Sequence, residues 1–281
     1  MLRRSEWVLV TYFAYATVLA HLLPVPEGVA KVTLLVNVAV VAGLFLLAWV
    51  DSLRRRRFLG TVRDWFPPPL LLLAYREMGW FAPATHSFRL ERAWVIWDRL
   101  FLNDLGARAV IESLGPVLPS VLEISYSLVY AIPYFSLALL MATGRRDRID
   151  RFLFPFALAV LCAYALFPYF PSEPPRTVFP GDNLPTWNTV FRRFNLGLLG
   201  GYGIHTSVFP SAHVSGAFSA ALAMRQVLPE RPWAGRFLLV LAVSIATATV
   251  YGRYHYLVDA LAGLGIALVA IVTATSRLSK P

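Results

Sequence analysis

The sequence predicts an all-α fold, a polytopic membrane helical bundle of about eight spans, and three observations carry that expectation. Of the 281 residues, 57% are hydrophobic and the mean hydropathy is +0.59. Only 15% are charged, against ~25% in soluble domains. That leaves too few polar side chains to coat a water-exposed surface, a problem a bilayer removes. Apolar stretches near the roughly 20 residues a crossing needs recur along the whole chain. The basic residues, mostly arginine, cluster in the short segments between them.

The stretches lie at about 6–23, 29–50, 66–82, 118–142, 152–168, 209–226, 236–252 and 256–275. The first follows Arg3 and Arg4, as a signal peptide would. No small-x-small cleavage site precedes Pro24, so a retained helix is expected. The expected domain division is 1–64, two N-terminal transmembrane helices, and 65–281, a catalytic core. One side of the bundle then receives Arg3, Arg4, Arg54 to Arg57, Arg63, Arg145, Arg146, Arg148, Arg151, Arg225, Arg231, Arg236, Arg277 and Lys280. The other receives half as many basic residues, from Lys31 to Arg193. The excess puts both termini in the cytoplasm and the long 169–208 segment outside, with the plasma (inner) membrane as the expected location. The net charge of +10 follows from this topogenic pattern, and no nucleic-acid partner is expected. The single cysteine, Cys162, rules out an intrachain disulfide.

Two connectors are too long to be plain turns. In 83–117, Leu90, Trp94, Trp97, Phe101 and Leu105 recur at helical spacing, with Glu91, Asp98 and several arginines between them. That pattern fits a helix in the interface or one packed over the bundle. The other connector, 169–208, is rich in Pro, Gly and Asn.

The chemistry gathers in three stretches. In Tyr251-Gly-Arg-Tyr-His-Tyr-Leu-Val-Asp259, His255 and Asp259 stand one helical turn apart on one face. A carboxylate so placed holds one imidazole nitrogen and leaves the other free to attack. A buried pair tying helices together would have the same spacing. In Phe209-Pro-Ser-Ala-His213, Ser211 suits an N-cap. The backbone N–H groups of Ala212 and His213 would then offer an anion site at a helix start, with His213 placed to protonate a leaving oxygen. Simple capping is the alternative. In Phe170-Pro-Ser-Glu-Pro-Pro-Arg176, prolines stiffen the chain behind Arg176, whose donor fork matches phosphate oxygens. On the expected topology Arg176, Ser211, His213, Arg253 and His255 converge on one membrane face as a phosphate pocket with a nucleophile and an acid. The sequence has no CxxC, HExxH or GxxxxGK[ST] pattern, and neither metal nor cofactor is expected.

These stretches resemble the three motifs of the PAP2 superfamily, the type 2 phosphatidic acid phosphatases and vanadium haloperoxidases. Pro210-Ser-Ala-His213 is similar to its Pro-Ser-Gly-His motif, His255 and Asp259 to the His-x-x-x-Asp end of its third motif, and Arg176 to the arginine of its first. The resemblance implies a six-helix core over about 66–275. It implies His255 as nucleophile, Asp259 as its orienting partner and His213 as general acid. No metal would be needed. From their convergence on one face, Arg176, Ser211, Ala212 and Arg253 are the expected phosphate-binding residues. Tyr169 stands where the first motif has lysine, Thr177 where it has proline, and Thr249 where the third has arginine; Arg253 is a candidate to replace that charge. The Pro-Pro-Arg and His-Tyr-x-x-Asp forms are similar to the branch holding the inositol phosphorylceramide synthases.

The expected function is therefore a membrane-embedded lipid phosphatase or phosphotransferase acting on a membrane lipid phosphate through a phosphohistidine. The alternative is transfer of an inositol-phosphate head group to a hydroxyl-lipid acceptor, ceramide or diacylglycerol. A head-group-binding protein or flippase would keep the arginines but has no use for the two histidines and Asp259. Vanadate-dependent halogenation suits a soluble home rather than eight spans.

Overall fold

The computed structural model describes residues 1–54, 57–81, 83, 86–206 and 208–276; Arg55, Arg56, Arg277 and Lys280 of the expected cytoplasmic cluster lie outside them. Among the described residues the chain is helical throughout, without a strand. Its helices are α1 (Arg4–Leu22), α2 (Glu27–Arg54), α3 (Arg57–Trp65), α4 (Pro67–Met78), α5 (Arg89–Arg99), α6 (Ala107–Glu112), α7 (Val117–Leu128), α8 (Ile132–Ala142), α9 (Ile149–Leu166), α10 (Pro175–Val178), α11 (Val190–Tyr202), α12 (Ala212–Val227), α13 (Pro232–Tyr251) and α14 (Leu257–Ser276). This is an integral membrane protein: α2, the continuous α7–α8, α9, α13 and α14 are each long and apolar enough to cross a bilayer.

Three of the expected spans are shorter or less apolar than that. α4 has 12 residues, and α12 has 16, beginning at Ala212 rather than 209. α1 reaches 19 residues but is not among the long apolar helices. The shortness of α12 has a packing reason. It is the centre of the bundle, in contact with α9, α13 and α14. Its buried face is built of Ser215, Gly216, Ala217, Ser219, Ala220, Ala221 and Ala223. Small side chains let neighbouring helix backbones approach closely, which is how helices associate where lipid supplies no hydrophobic drive. A helix ringed by protein need not match the bilayer's thickness.

Charge holds one end of the bundle together. Arg63 binds Glu6 at 2.5 Å and Asp51 at 3.0 Å. Asp64 accepts from Arg3 and Arg146 at 2.6 Å each, and Glu230 from Arg145 at 2.6 Å and Arg148 at 2.9 Å. These pairs join the start of α1, the end of α2, α3 and the α8–α9 and α12–α13 connections. The sequence boundary expected near residue 65 falls between α3 and α4, yet Leu9, Phe13 and Ala16 of α1 share one apolar core with α9 and α12.

The opposite end carries the two long connectors. The 169–208 segment holds two helices the sequence reading did not anticipate, α10 and α11. In the 83–117 segment the helix α5 forms, one face turned to the bundle and the other outward. Glu91, Val95 and Asp98 point inward, while Ile96, Trp97 and Leu105 are exposed. The two carboxylates turn in because partners wait there.

Candidate active site

At that end a cavity of about 370 Å³ is lined by residues of all three motif stretches, among them Arg176, Ala212, His213, Tyr254 and His255. Each wall is held by backbone bonds between the stretches. The Ser211 N–H donates to the Asp259 carbonyl at 3.0 Å, and the Arg176 N–H to the Arg253 carbonyl at 3.3 Å. Ser211 caps α12, its Oγ accepting from the Val214 N–H at 3.4 Å. α14 crosses this cap at Gly263, where an added Cβ would lie 2.5 Å from the Ser211 carbonyl oxygen. Only glycine permits that approach, so the helix carrying Asp259 sits directly against the helix start that carries His213.

His255 is buried, in the turn between α13 and α14. Its Nδ1 lies 2.8 Å from the Val208 carbonyl, which can only accept. Nδ1 therefore carries the proton, and Nε2 keeps its lone pair. Asp259 Oδ2 stands farther off, 3.4 Å from Nδ1, and accepts from the Tyr256 N–H at 2.8 Å. The orienting role expected of Asp259 is thus shared, with the Val208 carbonyl in the nearer position. Burial, with Arg176 beside it, pushes the His255 imidazole down to about 3 against the pull of the Val208 bond. At neutral pH the ring is uncharged, the form a nucleophile needs.

His213 follows in the first turn of α12, its ring 5.6 Å from that of His255, centre to centre. It lies flat against Tyr126 at 5.0 Å, and Tyr126 in turn stacks on Tyr254 at 4.2 Å. The Arg176 guanidinium stands 5.4 Å over the Tyr254 ring. Among the described residues Arg176 has no carboxylate partner, so its charge is available to an anion.

Ser211 and Arg253 are placed differently from Arg176. Ser211 is fully buried and works as a cap. Arg253 is absent from the cavity lining. It adopts a left-handed φ of 63° and is completely buried against Asp98 of α5, with Nη1 donating to Oδ2. Among the described residues its Nε and Nη2 have no hydrogen-bond partner. Contact with phosphate, the role expected of Arg253 as a replacement for the charge missing at Thr249, is not what this geometry offers; the guanidinium lies behind the wall.

Several residues around the site were not singled out in the sequence. Glu123 of α7 accepts from Arg192 at 3.1 Å, Asn195 at 2.7 Å and the Tyr254 hydroxyl at 2.6 Å. This buried network sets the aromatic wall behind Arg176. Glu123 stands alone as an acid in the apolar run 117–142, and an ionisable residue inside a span is a functional signal in itself. Val208 left no signal, because its contribution is a backbone carbonyl.

An all-α membrane bundle that collects three histidines, a free arginine and a capped helix start around one cavity has the makings of an anion-handling enzyme site. The chain belongs to the PAP2 superfamily, whose family model matches residues 95–273. A PA-phosphatase related-family protein of Dictyostelium discoideum is 27% identical over 136 residues, which cover 45% of this chain and 23% of that protein. The chain thus spans only a fraction of that relative's length. No solved structure matches it.

Proposed function

We propose that this protein is a lipid phosphatase in which His255 forms a phosphohistidine. The observation that carries the reading is the protonated Nδ1 of His255 held by the Val208 carbonyl, which leaves Nε2 unprotonated in a cavity that also holds His213 and Arg176. His255 Nε2 bonds to phosphorus as the ester P–O bond breaks, and His213, which burial leaves uncharged before substrate binds, passes on to the leaving oxygen a proton brought in by the phosphate monoester. Water then attacks phosphorus, His213 takes up its proton, and the P–N bond breaks to release phosphate. Arg176 and the N–H groups at the start of α12 hold the phosphoryl oxygens. Arg253 adds positive charge from behind.

The test is to give the purified protein labelled phosphatidate, a polyprenyl diphosphate and phosphatidylinositol in turn, each with and without diacylglycerol or ceramide. Phosphate release from either of the first two, unaffected by acceptor, is expected. A new phospholipid formed only with acceptor, and no free phosphate, overturns hydrolysis in favour of head-group transfer. In the same assay His213→Ala is expected to slow a good substrate by about 10²–10⁴-fold, the worth of a general acid.

The site is proposed to face away from the cytoplasm, since the arginine-rich ion-pair end lies opposite it. In a Cys162→Ala background, a cysteine at exposed Asn188 should react with an impermeant thiol reagent on intact cells, and one at exposed Ser52 should not. The reverse pattern inverts the orientation.

A further inference from the structure

The cavity is deeper than a phosphate requires. On α9 and the turn after it, Phe156, Val160, Tyr164 and Phe167 line it, a single stripe at helical spacing. At about 1.5 Å per residue that stripe is roughly 16 Å long. Facing it, Pro68, Leu71, Leu72 and Tyr75 form a matching stripe on α4. The slot therefore runs along the helix axes, the direction in which lipid chains lie, and its histidines and Arg176 come from the connector end. Near the start of α4, Trp65 stacks on Tyr134 with ring centres 6.1 Å apart, while its indole N–H donates to Met141 Sδ at 3.3 Å. This stack forms a floor. The side is open: α4 packs on α9, α1 and α3, and α8 on α12, α9 and α3, with no main packing contact between α4 and α8. Leu72 and Tyr130, on either side of that gap, line the cavity and are nonetheless 46% and 38% exposed.

Resting on the lipid-phosphatase reading of the site, we propose that this slot holds a single hydrocarbon chain of the substrate, which enters sideways between α4 and α8 and is measured against the Trp65–Tyr134 floor. A phosphate head and about ten chain carbons span the roughly 16 Å stripe.

The experiment uses the full-length protein and alkyl monophosphates of four to sixteen carbons, each below its aggregation threshold. The rate constant kcat/KM should rise about 4-fold per methylene, the worth of a buried CH₂, and level off near ten carbons. Non-hydrolysable alkyl phosphonates should show the same plateau in binding, which reads the slot separately from the chemistry. Tyr134→Ala should move the plateau to longer chains. Leu72→Trp should lower the ratio of dodecyl to butyl phosphate turnover by 10-fold or more. Phosphonate binding that is flat with chain length, or a plateau unmoved in Tyr134→Ala, overturns the slot. A phosphonate plateau with no ester cleaved supports the slot and sinks the phosphatase reading instead.

Discussion

Replacing His255 with alanine is expected to reduce phosphate release by about 10⁵–10⁶-fold, to the detection floor, because removal of a nucleophile forfeits the covalent route altogether. Neither of the other histidines lining the cavity substitutes for it: His205 is exposed to solvent. His213 is stacked on Tyr126 and comes no closer than 3.5 Å to the Tyr130 hydroxyl, without a carbonyl fixing its tautomer as Val208 fixes that of His255. The two histidines are therefore distinguishable. His255→Ala should leave no acid-labile phosphoprotein after quenching, whereas His213→Ala should accumulate it if the second step depends on His213 as a base. Asp259→Asn should slow turnover less than His255→Ala, because the Val208 carbonyl continues to hold Nδ1 while only the 3.4 Å carboxylate is neutralised. The measurement is single-turnover release of labelled phosphate, with a thermal melt of each variant to verify folding. Near wild-type turnover in His255→Ala ends the phosphohistidine reading.

How much of this was legible beforehand depends on the distance over which each feature is encoded. The helices α2, α7–α8, α9, α13 and α14 announce themselves by length and hydropathy, since a bilayer imposes both. The helix α12 was seen but over-extended, because a central helix of alanine, serine and glycine looks like a span while being buried by protein. His213, His255 and Arg176 were readable because each sits in a local pattern whose chemistry needs no distant partner. The facing of α5 was not readable. Its apolar spacing leaves open whether it lies in the interface or packs on the bundle, and the two inward carboxylates that decide it have distant partners: Glu91 accepts from the Glu173 N–H at 3.0 Å, besides lying 2.5 Å from the nearby His86 Nε2. Asp98 reaches Arg253 and Leu257. The cost of burying an unpaired charge decides the orientation, and no periodicity records where the counter-charge is.

The burial of Asp98 yields the second large effect. Asp98→Asn is expected to destabilise the protein by about 3–5 kcal/mol, the usual cost of removing one member of a buried ion pair, and to lower kcat far more than it raises KM. Asp98 grips both flanks of the catalytic turn: Oδ2 takes Nη1 of Arg253, two residues before His255, and Oδ1 accepts the Leu257 N–H at 2.8 Å, two residues after it. Burial pushes the Asp98 carboxyl up to about 6 while Arg253 and the Leu257 bond pull it down, so near neutrality it is ionised and the pair is intact. Asparagine keeps the shape and can still accept from Leu257, but it leaves the Arg253 guanidinium uncompensated with Nε and Nη2 already unpartnered among the described residues. The guanidinium must then move, and the left-handed Arg253 backbone at φ 63° moves with it, carrying His255 off its Val208 anchor. The double variant Asp98→Leu, Arg253→Met removes both charges at once. It should recover most of the lost stability, as apolar replacement of a buried pair commonly does, without recovering kcat, since neither the Leu257 anchor nor the charge behind the phosphate returns. Melting temperatures and steady-state kinetics of the single and double variants form the cycle. An Asp98→Asn protein that melts and turns over like the parent would show that α5 merely covers the catalytic turn and does not hold it.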